Sequence, residues 1–156
     1  MNNTVSYAWN TAILQDGIYA LRAIAIDTSG NESTKEFTRR YEIDNTGIGK
    51  IQITKHNATA TVASLHWEDV TEHDFSYFQV EMLSGNSFIP VGTTSNMLGY
   101  QVKQLVPNKE YTFRVVGYDN LGNRGIPSDE VKVTTIDDEI APSITAVYPV
   151  SSCYKD

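Results

Sequence analysis

Short runs of alternating apolar and polar residues recur along the chain, and no stretch places apolar residues at i, i+3, i+4 and i+7 over three turns. Thr61-Val62-Ala63-Ser64-Leu65-His66-Trp67 is one such run, with Val62 and then Leu65 and Trp67 expected on the buried face. Tyr77-Phe78-Gln79-Val80-Glu81-Met82 is a second. In a third, Tyr111 to Tyr118, the residues Tyr111, Phe113 and Val115 share one face, and Thr112 and Arg114 share the other. Turn-forming residues separate the runs: Ser84-Gly85-Asn86, Pro107-Asn108 and Asn120-Leu121-Gly122-Asn123. The pattern predicts an all-β fold of short strands, a sandwich or a barrel.

The chain also repeats itself. Tyr19-Ala20-Leu21-Arg22 through Asp27-Thr28-Ser29-Gly30-Asn31 matches Tyr111-Thr112-Phe113-Arg114 through Asp119-Asn120-Leu121-Gly122-Asn123, with Tyr, Arg, Asp, Gly and Asn recurring 92 residues apart. Ile43-Asp44 with Ile51 recurs as Ile136-Asp137 with Ile144, 93 residues on. A period near the length of a small sandwich domain implies an array. Three segments follow. Residues 1–46 are expected to hold the closing strands of a preceding module, three or four in number. Residues 47–136 are expected to form a complete domain. Residues 137–156 are expected to hold the acidic linker Asp137-Asp138-Glu139 and the first strand of a following module, Ser143 to Tyr148. A three- or four-stranded piece cannot close a sandwich, so apolar surface around Leu21, Ala23, Ile24 and Ile26 is expected to stay open.

Leu105-Val106-Pro107-Asn108-Lys109-Glu110-Tyr111-Thr112-Phe113-Arg114-Val115 is similar to the Leu-x-Pro-x-x-x-Tyr-x-Phe-x-Val signature of the fibronectin type III family. Leu65-His66-Trp67 resembles that family's second strand, Tyr77 to Glu81 its third, and Ser128 with Val131 to Thr135 its last. The resemblance covers about 90 residues and implies an immunoglobulin-like antiparallel sandwich. It makes Trp67, Val80, Leu105, Tyr111, Phe113 and Val115 structural core, and Tyr111 a corner residue whose hydroxyl bonds nearby backbone. The first segment, from Trp9 to Thr46, resembles the closing half of a bacterial immunoglobulin-like module. Such modules occur in tandem in large bacterial surface, secreted and cell-wall-associated proteins. The resemblance therefore implies an extracellular or cell-surface setting, with neighbouring modules of the same chain as partners and a cell-wall or extracellular ligand as a further one. Two departures stand out. Glu68-Asp69-Val70 follows the second strand where the family often has Pro, and Asn123-Arg124-Gly125 replaces the Arg-Gly-Asp of some members, so integrin binding is not carried over.

Composition narrows the chemistry. A net charge of −7 argues against nucleic-acid binding and against docking on anionic lipid, and no apolar run is long enough for insertion into a membrane as a helix. The start Met1-Asn2-Asn3-Thr4 lacks the features of a signal peptide. The lone Cys153 cannot form an internal disulfide. The three His residues have no zinc-ligand spacing, and no nucleophile elbow or phosphate loop occurs, so no catalytic residue and no enzyme is expected. Calcium is the one cofactor that the acidic stretches leave open: Glu68-Asp69 with Glu72-His73-Asp74, and Asp137-Asp138-Glu139. The Asp-x-x-Gly-Asn loops lack the EF-hand pattern and read as hairpin turns. Leu121, Asn123 and Arg124 form the candidate partner-binding loop, and Tyr100, Tyr118 and Phe88 are the aromatics available to a carbohydrate. The expected function is a non-catalytic spacer or interaction segment of a tandem array. The alternative is a carbohydrate- or protein-binding accessory module of an extracellular enzyme.

Overall fold

The computed structural model describes residues 6–137, and over this range it contains nine strands and no helix. The expected strand at Ser143 to Tyr148, most of the acidic linker and Cys153 lie outside the described residues.

Seven strands make a two-layer sandwich. One layer is three-stranded, ordered β3 (Ile53–Ala58), β4 (Ala63–Trp67), β7 (Gly99–Val102). The other is four-stranded, ordered β6 (Ser87–Thr94), β5 (Phe75–Ser84), β8 (Glu110–Asp119), β9 (Val131–Thr134). All pairings are antiparallel. The inward faces interdigitate as the alternation predicts: Ala63, Leu65 and Trp67 of β4 meet Phe78 and Val80 of β5 and Phe113 and Val115 of β8. The phase of β4 differs from expectation at its start, because the strand begins at Ala63, which is fully buried, while Val62 is half-buried in the turn before it. Trp67 meets Phe78 edge-on with centroids 5.3 Å apart. Side chains of this size each contribute about 1.5–3 kcal/mol by leaving water. Leu105 closes one end of the core, and the Tyr111 hydroxyl accepts a hydrogen bond from the Val106 N–H at 2.9 Å. Ser128 lies before β9, not in it, and its hydroxyl accepts the Val115 N–H at 2.9 Å.

The remaining two strands, β1 (Gly17–Ile26) and β2 (Glu32–Ile43), form a two-stranded ribbon, not the three or four strands expected. The repeat found in the sequence extends to its hydrogen-bond register. Adding 92 to each position turns the pairs Ile18↔Glu42, Tyr19↔Tyr41 and Ala20↔Arg40 into Glu110↔Thr134, Tyr111↔Val133 and Thr112↔Lys132, which are the β8–β9 pairs. Both hairpins then slip by two residues, and Ile26↔Glu32 becomes the bridge Tyr118↔Arg124. The Tyr19 hydroxyl donates to the Gln15 carbonyl at 2.8 Å, so each hairpin opens with a tyrosine anchored to the loop before it. Trp9 packs edge-on against Tyr19 and Tyr41. Beyond that contact the ribbon has little core: Ile18 is 68% exposed and Ile26 64%.

Candidate functional site: the linker joint and the outer sheet face

The loop between β8 and β9 starts with Asp119, 2% exposed. Its Oδ1 accepts the N–H groups of Leu121 and Asn123 at 2.9 and 2.8 Å, and its Oδ2 accepts the Asn123 side-chain amide at 2.8 Å. Burial alone would push this carboxyl up, but the bonds from Asn123, Leu121 and Gly122 outweigh it and hold the group below the usual range. Gly122, at φ 87°, supplies the left-handed step. Asp27 makes the same three bonds to Ser29 and Asn31 at 2.8, 2.8 and 2.7 Å, with Gly30 at φ 88°. The Asn31 bonds hold the Asp27 carboxyl low as well.

The two loops differ in what they touch. Asn123 also donates to the Asp44 carbonyl at 3.0 Å, and the Ile126 N–H donates to the Ile48 carbonyl at 2.9 Å. The Ile48 side chain lies on Gly117, where an added Cβ would come within 2.7 Å of it. The linker between ribbon and sandwich is thereby built into the β8–β9 loop. At its other end, Asn45 is held by Asp16 and by the carbonyls of Thr11 and Leu14.

This joint gathers Asp44, Asp74 and Asp119, whose carboxylate oxygens lie within 4.8 Å of one another. The rest of the acidic stretch disperses: Glu72 accepts the Gly49 N–H at 3.1 Å, Asp69 caps Val70, and Glu68 and His73 face solvent. Calcium takes six to eight oxygens. The trio converges with one oxygen from each carboxylate, three in all, and both Asp119 oxygens already accept N–H groups. Calorimetric titration of the whole chain is therefore expected to give no saturable heat with micromolar calcium. A saturable signal lost on Asp74→Asn would instead establish the trio as a cation site.

The outer face of the four-stranded sheet carries a polar–aromatic network. Glu81, 4% exposed, accepts Arg114 Nε at 2.7 Å, Arg124 Nη2 at 3.0 Å and Gln79 Nε2 at 3.0 Å. Burial would raise its carboxyl, and the two guanidinium groups and Gln79 lower it further than burial raises it. Arg114 also lies over the Phe88 ring at 3.8 Å, and Tyr77 stacks on Tyr118 with centroids 4.8 Å apart and planes 3° apart. Of the candidate loop residues, Leu121 is exposed, whereas Asn123 holds the linker and Arg124 holds Glu81. Of the three candidate aromatics, Phe88 and Tyr118 share this face. Tyr100 packs on the core from β7 and lines an open cleft of about 1110 Å³ between β6 and β7. Sequence reasoning missed Tyr77 and Glu81; the alternation put both on the outward face of β5, but only the pairing with β8 sets them against Tyr118 and Arg114.

The profile of the fibronectin type III domain matches residues 48–134, more than half of the chain. The chain belongs to the fibronectin type III family. Among solved structures, the fibronectin type III domain of human fibronectin type III domain containing protein 3 is 29% identical and superposes with a TM-score of 0.52, covering 61% of this chain and 92% of that one. The chicken CNTN1 FN1-FN3 domains (17% identity, TM-score 0.55, 78% of this chain and 44% of that one) share the fold. So does a β-1,2-glucanase from Parabacteroides distasonis (18%, 0.53, 72% and 17%). No curated protein shows significant similarity to the chain. A fibronectin type III domain is in general a non-catalytic module of multidomain proteins, used for spacing or interaction.

Proposed function

We propose that the chain is a non-catalytic spacer and interaction segment of a tandem β-sandwich array in a large exported or cell-surface bacterial protein. The observation that carries this reading is the second hairpin. It has the register, tyrosine anchor and aspartate loop of the module's own closing hairpin, 92 residues upstream. Repetition at domain length is what an array produces. The linker contacts fit a spacer, since Asn123 and Ile126 hold the joining segment against one end of the fibronectin type III module and limit how freely its neighbour swings. In this reading residues 1–46 are the end of a preceding module, residues 47–136 are the complete one, and the partners are neighbouring modules and an extracellular ligand. The alternative, a carbohydrate-binding accessory module, needs a row of ring faces open to solvent. The stacking of Tyr77 on Tyr118 covers one face of each ring, and Tyr100 lies on another part of the module.

Limited proteolysis tests the arrangement. The ribbon is expected to be cut first, leaving a resistant fragment near residues 47–136. Deletion of residues 1–42, which spares the buried Ile43 and the Asp44 carbonyl, should shift the main melting transition by less than about 4 °C, the equivalent of under about 1 kcal/mol. Early cleavage between Tyr77 and Tyr118, or a large loss of stability on deletion, would mean that ribbon and sandwich share one cooperative core.

A further inference from the structure

Among the described residues β1 pairs only with β2, and its other edge has no strand neighbour there. Its counterpart β8 has a second neighbour, β5, which sets Met82 opposite Phe113, Glu81 opposite Arg114, Val80 opposite Val115 and Phe78 opposite Gly117. Transposed by 92 residues, those positions fall opposite Leu21, Arg22, Ala23 and Ala25. The ribbon has the small residues that leave room for large partners at Ala23 and Ala25. It also has the cation: Arg22 is exposed and forms no ion pair among the described residues, although Glu36 stands opposite it on β2. Arg114, by contrast, is held by Glu81 at 2.7 Å.

We propose that the free edge of β1 is an acceptor for an antiparallel strand that carries large apolar residues on its inner face and a carboxylate opposite Arg22. This rests on the array reading and names what the ribbon takes. The acceptor is read from register and charge. Main-chain bonding along the edge supplies affinity, the apolar alternation fixes the face, and the carboxylate fixes the register. A second copy of β1 supplies no carboxylate, since Gly17–Ile26 contains none, so it leaves Arg22 without the partner that Glu81 gives Arg114.

The probe is a labelled synthetic peptide with the sequence Phe75–Ser84, which has the required pattern, added to the whole 156-residue chain. Fluorescence anisotropy should show saturable binding, and hydrogen exchange should show new protection at Tyr19 to Ile26. Arg22→Glu should weaken binding about tenfold, and the same peptide carrying Glu81→Arg should restore it to that variant. No saturable binding, protection at another strand edge, indifference to the charge swap, or a chain dimer that the peptide does not dissociate would each overturn the acceptor. Those outcomes leave the array reading standing if proteolysis still yields the resistant module, so the two can fail separately.

Discussion

Asp119→Ala is expected to destabilise the fibronectin type III module by about 3 kcal/mol, while Asp27→Ala leaves its melting temperature unchanged. Both carboxylates accept the same three hydrogen bonds. A bond to a charged group contributes about 1.5–3 kcal/mol when water cannot replace it. Asp119 is buried beside the linker, so its removal orphans the Leu121 and Asn123 N–H groups and frees the amide that holds Asp44. Asp27 is exposed, and water takes over its role at once. Thermal unfolding of the whole chain should show the difference as a drop of about 15 °C for one variant only. The pH dependence follows from the depressed Asp119 carboxyl. Its contribution is fully present above the ordinary carboxylate value of about 4 and is lost as pH falls through the lower folded value. The gap between the parent chain and Asp119→Ala should therefore narrow in strong acid. An equal loss from Asp27→Ala would mean that the ribbon loop belongs to the cooperative unit.

Trp67→Ala should cost about 4 kcal/mol, and Trp67→Phe no more than about 1 kcal/mol. Trp67 is 3% exposed between Leu65 of its own strand and Phe78 of the opposite sheet, so truncation to Ala leaves a cavity that a two-layer sandwich cannot collapse. The indole Nε1 is buried and has no hydrogen-bond partner among the described residues. The folded module already carries that desolvation cost, and Phe removes it while keeping most of the ring, which offsets part of the lost volume. Urea titrations read both values from the shift in midpoint at constant slope. A Trp67→Phe loss close to that of Trp67→Ala would show that the indole nitrogen has a partner in solution.

The sequence by itself determined the strands β4, β5 and β8, most of their inward residues and the repeat. Leu65, Trp67, Val80, Phe113 and Val115 alternate with polar neighbours, and a strand with one buried face has only one phase that keeps those side chains out of water. The Asp-x-x-Gly-Asn loops were legible for the same local reason: each closes on hydrogen bonds within five residues and on a glycine in the left-handed region. The Tyr111 anchor spans five residues and was implied by the resemblance to the fibronectin type III signature. The joint and the outer network were not legible. Asp44, Asp74 and Asp119 come from a linker and two loops, and Glu81 meets Arg114 and Arg124 across 33 and 43 residues of chain. For the candidate loop residues Asn123 and Arg124, sequence shows that they lie in a loop, not that their side chains reach Asp44 and Glu81. The ribbon was expected to have three or four strands and has two among the described residues, since a repeat shows which segments are alike but not how many neighbours each finds. Periodicity is fixed by backbone geometry within a strand. Which strands lie side by side, and so which charges meet, is fixed by the register between distant segments, and that is set only when the two sheets close on their common core.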